Sequence, residues 1–362
     1  MIDKAGNKKY RDPSIELLRI IAMFFIMCSH YACHGQTDTQ AIMSTDFVGG
    51  SILKIFTLGN LGVDIFMAIF GYFNIKMEFK FRRVLPLAFE VFFYSVVIFI
   101  IFCICNHDIF SIKNLIKALF PISFDEYGFP TIYIIVFIIS PILNSGLIHV
   151  SKERKYLYFL ALLWIVLPIF SMGSVSYYCK ELEQYVIAYS VGALVRLNES
   201  PENLKKAKHA LLCSSWLLIL LTVLLGLFSI KILLAFKALT CLYQRNSPIF
   251  LLITWALLII FMQSFRSIPY SIGRVINIIA GSTFGIYLIH DNKYVRDWLW
   301  AVVFNNAGIS GVALLGDMLL SVYMVFIVCS IIDLIRKNTL EKLFMIGLNK
   351  VIVTIQRKDI YF

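Results

Sequence analysis

Glu16, Arg19 and His30 stand inside the first long apolar stretch of the chain. At about 100° per residue, the eleven steps from Arg19 to His30 leave an angular offset of about 20°. Glu16 lies three residues before Arg19 and falls on the same face. A helix here carries an acid, a cation and an imidazole on one stripe, with about 16 Å between Arg19 and His30. Ionisable groups inside a membrane span cost free energy and mark functional positions. Histidine suits proton transfer near neutral pH, so His30 is the candidate general base or acyl carrier. Glu16 and Arg19 admit two readings: an ion pair at the helix end, with Arg19 reaching for the surface, or a functional pair in which Glu16 orients Arg19.

Other polar residues extend this set. Tyr287 and His290 close a second apolar stretch, one helical turn apart. They read either as an interfacial aromatic with a polar neighbour or as a second reactive pair. Asp64 is the one acid of its stretch; it reads as a partner for a histidine or Lys54, or as a residue near the membrane surface. His34 follows His30 by one turn. That spacing suits a metal, but the sequence offers no third ligand and no HExxH glutamate, so no metal is expected and His34 reads as a surface residue. Lys80, Arg82 and Arg83, with Lys76, form a cationic cluster that suits phosphate groups.

The elements that position these residues follow from composition. The chain has 362 residues, 59% apolar and 15% charged, with a mean hydropathy of +0.80. Soluble domains carry about 25% charged residues. The figures exclude a soluble globular protein, a disordered chain and a disulfide scaffold. Long unbroken apolar runs also exclude an outer-membrane barrel. The fold class is all-α: a polytopic integral membrane protein with about ten spans, near 14–33, 51–73, 84–105, 131–149, 156–172, 184–197, 209–227, 247–263, 275–291 and 312–335. The sixth is short and weak. Residues 111–120 and 228–243 read as interfacial helices.

The cations fix an orientation. With the N-terminus in the cytoplasm, 23 of the 33 Lys and Arg residues fall in inner segments and 8 in outer ones. The positive-inside rule expects such a split. The net charge of +11 is therefore read as topology, not as a nucleic-acid partner. His30, Asp64 and His290 then lie toward the outer face, and Arg19, Lys80, Arg82 and Arg83 toward the inner one. The cysteines show no CxxC pair and read as packing residues. Residues 1–337 form one transmembrane domain, and 338–362 a cytoplasmic basic amphipathic tail.

Taken together, these motifs resemble acyltransferase family 3, membrane-bound enzymes that include surface-polysaccharide O-acetyltransferases. The resemblance covers nearly the whole chain. It rests on Ser14 to Arg19 followed by His30 after ten residues; on Gly62-Val63-Asp64-Ile65-Phe66 and Gly71-Tyr72-Phe73; on Arg82-Arg83; on Pro141-Ile142-Leu143-Asn144; and on Gly285 to His290. Phe70 stands where the family has serine, so a role for that hydroxyl is lost or moved.

The resemblance implies a multi-pass enzyme of the inner or plasma membrane. It would move an acyl group, commonly acetyl and in some members succinyl, from cytoplasmic acyl-CoA to a sugar hydroxyl outside. No cofactor is bound permanently; acyl-CoA is a co-substrate. The partners are acyl-CoA, a surface polysaccharide or lipid-linked glycan, and the bilayer. Arg82, Arg83, Lys80 and Arg19 are assigned to the donor. Tyr287, His290 and Asp64 are assigned to the acceptor or oxyanion. The competing reading is a polytopic transporter or flippase, weakened by the lack of an inverted repeat or paired broken helices. A polysaccharide polymerase would need a large arginine-bearing outer loop, and the outer loops are short.

Overall fold

Asp12 opens the first helix by accepting the Ser14 backbone N–H at 3.0 Å, and Pro13 occupies the first turn, where its missing N–H costs nothing. The computed structural model describes residues 11–35, 59–152, 177–227, 247–265 and 267–347. These form helices and no strands: α1 Pro13–His34, α2 Gly59–Asn74, α3 Val84–Cys105, α4 Ile112–Leu119, α5 Gly128–Lys152, α6 Tyr177–Leu197, α7 Asn203–Leu227, α8 Pro248–Ser264, α9 Tyr270–Gly281, α10 Thr283–His290, α11 Lys293–Trp298 and α12 Gly311–Arg336. Two short 3-10 turns and two π-helical stretches, Leu299–Val303 and Lys337–Glu341, complete the described chain.

Among the described residues, five helical segments are long and apolar enough to cross a membrane: Pro13–His34, Phe81–Cys105, Gly128–Lys152, Tyr270–His290 and Gly311–Gly347. They coincide with five of the spans expected from sequence. The apolar α8 is shorter. The expected span 156–172, the first residues of 51–73, and the interfacial stretch 228–243 lie outside the described residues, as does the tail beyond 347. Large apolar side chains are exposed along α3 (Ile100, Ile101, Ile104) and α12 (Leu320, Tyr323, Val328, Ile331). A protein in water would bury such faces; here the bilayer solvates them.

The centre is built where backbones approach closely. Gly62 of α2 faces α1 so tightly that a Cβ would sit 2.5 Å from the Ala22 carbonyl oxygen. Between α2 and α6, a Cβ on Gly192 would collide with the Ala68 carbonyl, and one on Gly71 with the Tyr189 carbonyl. Close helix packing through small residues is the usual device in lipid, where no hydrophobic gain drives association. The segment 184–197, weak as a span by sequence, is thus a buried central helix. Glu183, Gln184 and Ser190 of α6 are buried.

Two further expectations acquire detail. The stretch 111–120, expected as an interfacial helix, is helical as α4, capped by Ser111 Oγ accepting the Asn114 N–H at 3.1 Å. Its Ile112 and Ile116, with Phe120 just beyond, are exposed. The expected span 275–291 is broken at Ser282 into α9 and α10; Lys337 Nζ donates to the freed Gly281 carbonyl. The chain stays helical through 337 to 347, and Phe344 stacks on Phe89 of α3 with ring centroids 4.0 Å apart.

Candidate active site

His30 lies in the last turns of α1 and His290 is the last residue of α10. Packing of these helices places His30 Nδ1 3.0 Å from His290 Nε2. His290 is fully buried, and its Nδ1 lies 2.6 Å from the Ile286 carbonyl oxygen. A carbonyl only accepts, so His290 Nδ1 carries a proton. In the neutral ring His290 Nε2 is then an acceptor. His30 Nδ1 must therefore be the donor, and the lone pair of neutral His30 is left on Nε2. The chain of bonds fixes the tautomer of His30 as the orienting partner of a catalytic histidine does.

Asp291 also reaches this pair. Its Oδ1 lies 3.5 Å from His30 Nδ1 and 3.5 Å from Arg296 Nη1. Arg296 sets a cation beside this carboxylate and favours its ionised form. An anion beside His30 Nδ1 stabilises the imidazolium that forms when Nε2 takes a proton. Tyr287 completes the group, its ring 6.0 Å from His30 and 5.8 Å from His290. Trp300 closes the far side, its ring 6.4 Å from His290 and 5.9 Å from Tyr31.

The 291–296 turn is held by a polar clamp from the opposite loop. Asn292 caps α11 by accepting the Tyr294 N–H and donates to Tyr127 Oη at 2.6 Å. Glu126 bridges Lys293 at 2.6 Å and Lys117 of α4 at 3.4 Å. Burial lowers the Lys293 ammonium, but Glu126 outweighs it and raises the group above the ordinary lysine value.

The other end of α1 carries the second half of the stripe. Glu16 is buried and pairs with Arg19 at 3.2 Å and Arg11 at 3.8 Å. The Glu16–Arg19 ion pair expected from their spacing therefore forms. Lys80, Arg82 and Arg83 lie at this same end, since α1 and α2 run antiparallel. Lys80 pairs with Glu78 at 3.1 Å, and Arg83 Nη1 donates to the Glu78 carbonyl at 2.7 Å. Lys80 and Arg82 are exposed.

Aromatic rings run between the two ends. His30 meets Tyr287, Tyr287 meets Phe129 at 5.1 Å, and Phe129 meets Tyr133 at 5.9 Å. Tyr133 lies tilted against Phe70 at 4.4 Å; Phe70 meets Phe137 at 5.5 Å, and Phe137 meets Phe79 at 5.6 Å. Phe70, which replaces the expected serine, is an interior member of this series, between Tyr133 and Phe137.

The structure brings His30, Tyr287 and His290 together, and separately Glu16 and Arg19. Asp64 differs from expectation. It is fully buried and accepts from Gln184 Nε2 at 2.8 Å, because the close α2–α6 contact delivers Gln184 to it. Among the described residues no histidine pairs with it; Lys54 lies outside them. Asp291 and Arg296 were missed by sequence reasoning. The adjacency of Asp291 to His290 was the available signal. His34 also departs from its surface reading: it is half-buried, its ring 5.5 Å from that of His30. The missing third ligand exists in space, for His30, His34 and Asp291 each place a donor atom within 4.8 Å of the others.

A family model described as acyltransferase domain (acyltransferase family 3) matches residues 12–334. No curated protein and no solved structure matches the chain. The matched stretch begins at the cap of α1 and ends within α12, so it takes in both histidines, Asp291 and the cationic end. The protein is a membrane protein and belongs to acyltransferase family 3.

Proposed function

We propose that the protein is a ten-span enzyme of the plasma membrane, with both termini in the cytoplasm. It moves an acyl group, acetyl in the common case, from cytoplasmic acyl-CoA to a hydroxyl of an extracytoplasmic polysaccharide or lipid-linked glycan. The cation distribution supports the orientation. The observation that carries the reaction is the ordered chain from the Ile286 carbonyl through His290 to His30. It leaves one imidazole lone pair available, on a side chain that keeps 18% exposure.

In this reading Arg82, Arg83, Lys80 and Arg19 hold the donor phosphates at the inner end. The pantetheine arm spans the roughly 16 Å from Arg19 to His30, along the rings from Phe79 to Tyr287. His30 Nε2 takes the proton of the acceptor hydroxyl as its oxygen attacks the thioester carbonyl. The carbon–sulfur bond then breaks, and the imidazolium returns the proton to the departing thiolate. The products are an acyl ester and free coenzyme A. Asp291 stabilises the imidazolium. Tyr287 and His290 position the acceptor, and Asp64 acts through Gln184 on the helix packing. The tail beyond 337 rests on the inner membrane surface.

The test supplies labelled acetyl-CoA to inside-out vesicles that contain the acceptor glycan. Label appears on glycan with the wild type and falls at least about 100-fold with His30→Ala at equal expression. Retained transfer by that variant sinks the reading. Glycan movement without label would mark a carrier instead.

A further inference from the structure

We propose that His30, His34 and Asp291 form a site for a borderline transition-metal ion, zinc being the type, whose occupancy suspends acyl transfer. The effect on transfer rests on the reading of His30 as the base; metal binding does not.

The donor set is built from two elements. His30 and His34 are one turn apart on α1, the spacing that presents two imidazoles to one ion. Asp291 approaches from the end of α10, its Oδ1 3.5 Å from His30 Nδ1. All three donor atoms lie within 4.8 Å of one another. Zinc takes imidazole nitrogen and carboxylate oxygen at about 2.0–2.2 Å, which puts tetrahedral donors about 3.3 Å apart. Small rotations of these partly exposed side chains close that difference. All three residues are partly exposed, so water can fill the fourth position. Two imidazoles with one carboxylate favour zinc, copper or nickel over magnesium or calcium.

Arg296 is the cation already present, with Nη1 3.5 Å from Asp291 Oδ1. Its Nε is equally close to Asp297, whose carboxylate is largely exposed. The guanidinium can therefore transfer to Asp297 and release Asp291 to the ion. Either mode of coordination to His30 stops its chemistry. Through Nε2 the ion takes the proton-accepting lone pair. Through Nδ1 it displaces the bond to His290.

The test uses the full chain in detergent, stripped with a chelator and titrated with zinc chloride by calorimetry. Cobalt chloride absorption reports the ligand field. His34→Ala removes a ligand outside the transfer machinery, and Asp291→Asn is the second variant. The expected result is one zinc bound by the wild type, with affinity at least about tenfold weaker in both variants. Zinc then inhibits transfer by the wild type, chelator restores it, and His34→Ala transfers normally while resisting zinc. Absence of zinc binding by the wild type overturns the proposal, as does equal affinity in His34→Ala. Zinc binding that depends on His34, in a protein that transfers no acyl group, supports the site and counts against the enzymatic reading instead.

Discussion

At the scale of single residues, the arrangement separates two roles that a histidine pair usually blurs. His290 is fixed by its own helix through the Ile286 carbonyl and has no lone pair to spare. His30 is fixed by His290 and keeps one. Substitutions at position 290 should therefore rank by whether an acceptor remains for His30 Nδ1. Glutamine offers a carbonyl oxygen there; alanine does not. His290→Gln should retain several-fold more transfer than His290→Ala. The loss in the alanine variant should fall in kcat and in KM for the acceptor, with KM for acyl-CoA unchanged, because His290 both orients His30 and positions the acceptor. Asp291→Asn keeps the shape but removes the anion beside the imidazolium. Its kcat should fall about 100-fold, within the range for general acid–base contributions, with KM for acyl-CoA nearly unchanged. A loss confined to KM would remove Asp291 from the chemistry. Steady-state kinetics in reconstituted vesicles separates the two.

At the scale of elements, the α1 stripe was legible because one helix carries it. Periodicity alone places Glu16, Arg19 and His30 on one face, and the structure keeps the Glu16–Arg19 pair. The short helix α4 was legible for the same reason. Pairings between distant helices were not. Asp64 lies 120 residues from Gln184, and its partner depends on how closely α2 and α6 approach. That approach depends on two glycines, and a single glycine in an apolar run says little until its neighbour is known. The break at Ser282 was hidden too, since the apolar pattern runs through it while Lys337, far along the chain, satisfies the freed carbonyl. Gly192→Ala tests the contact. A methyl there meets the Ala68 backbone, which cannot rotate aside. Overpacking of this kind costs about 1–3 kcal/mol. Thermal unfolding in detergent should show a lower midpoint, whereas alanine at Gly146, which faces open space, should leave it unchanged.

At the scale of the molecule, the position of His290 depends on a buried charge network a few residues away. Arg336 of α12 contacts Glu90 of α3 at 2.8 Å, Asp333 at 2.9 Å and Glu341 at 3.0 Å. Lys337 adds a bridge to Asp333 at 2.9 Å, and Tyr94 Oη donates to Asp333 at 2.9 Å. Asp333 also packs directly over Gly285 of α10. The network thus ties α3 and α12 together beneath the helix that ends in His290. Removing one member strands its partners in an apolar setting, at a cost of about 3–5 kcal/mol. Arg336→Met should therefore lower the unfolding midpoint sharply and reduce transfer per folded molecule, because α10 loses the floor on which it rests. The triple variant Glu90→Met, Asp333→Leu, Arg336→Met removes every stranded charge of the central trio. It should regain much of the stability lost by Arg336→Met, since apolar replacement of buried ionic partners together is often neutral or better, and the remaining Lys337 and Glu341 are each about a quarter exposed and can be solvated. It should not regain full transfer, because leucine does not reproduce the fit of the Asp333 carboxylate against Gly285. Recovery of both stability and transfer would show that the network only holds the fold together. Recovery of stability alone would show that it also sets the height of His290 against His30.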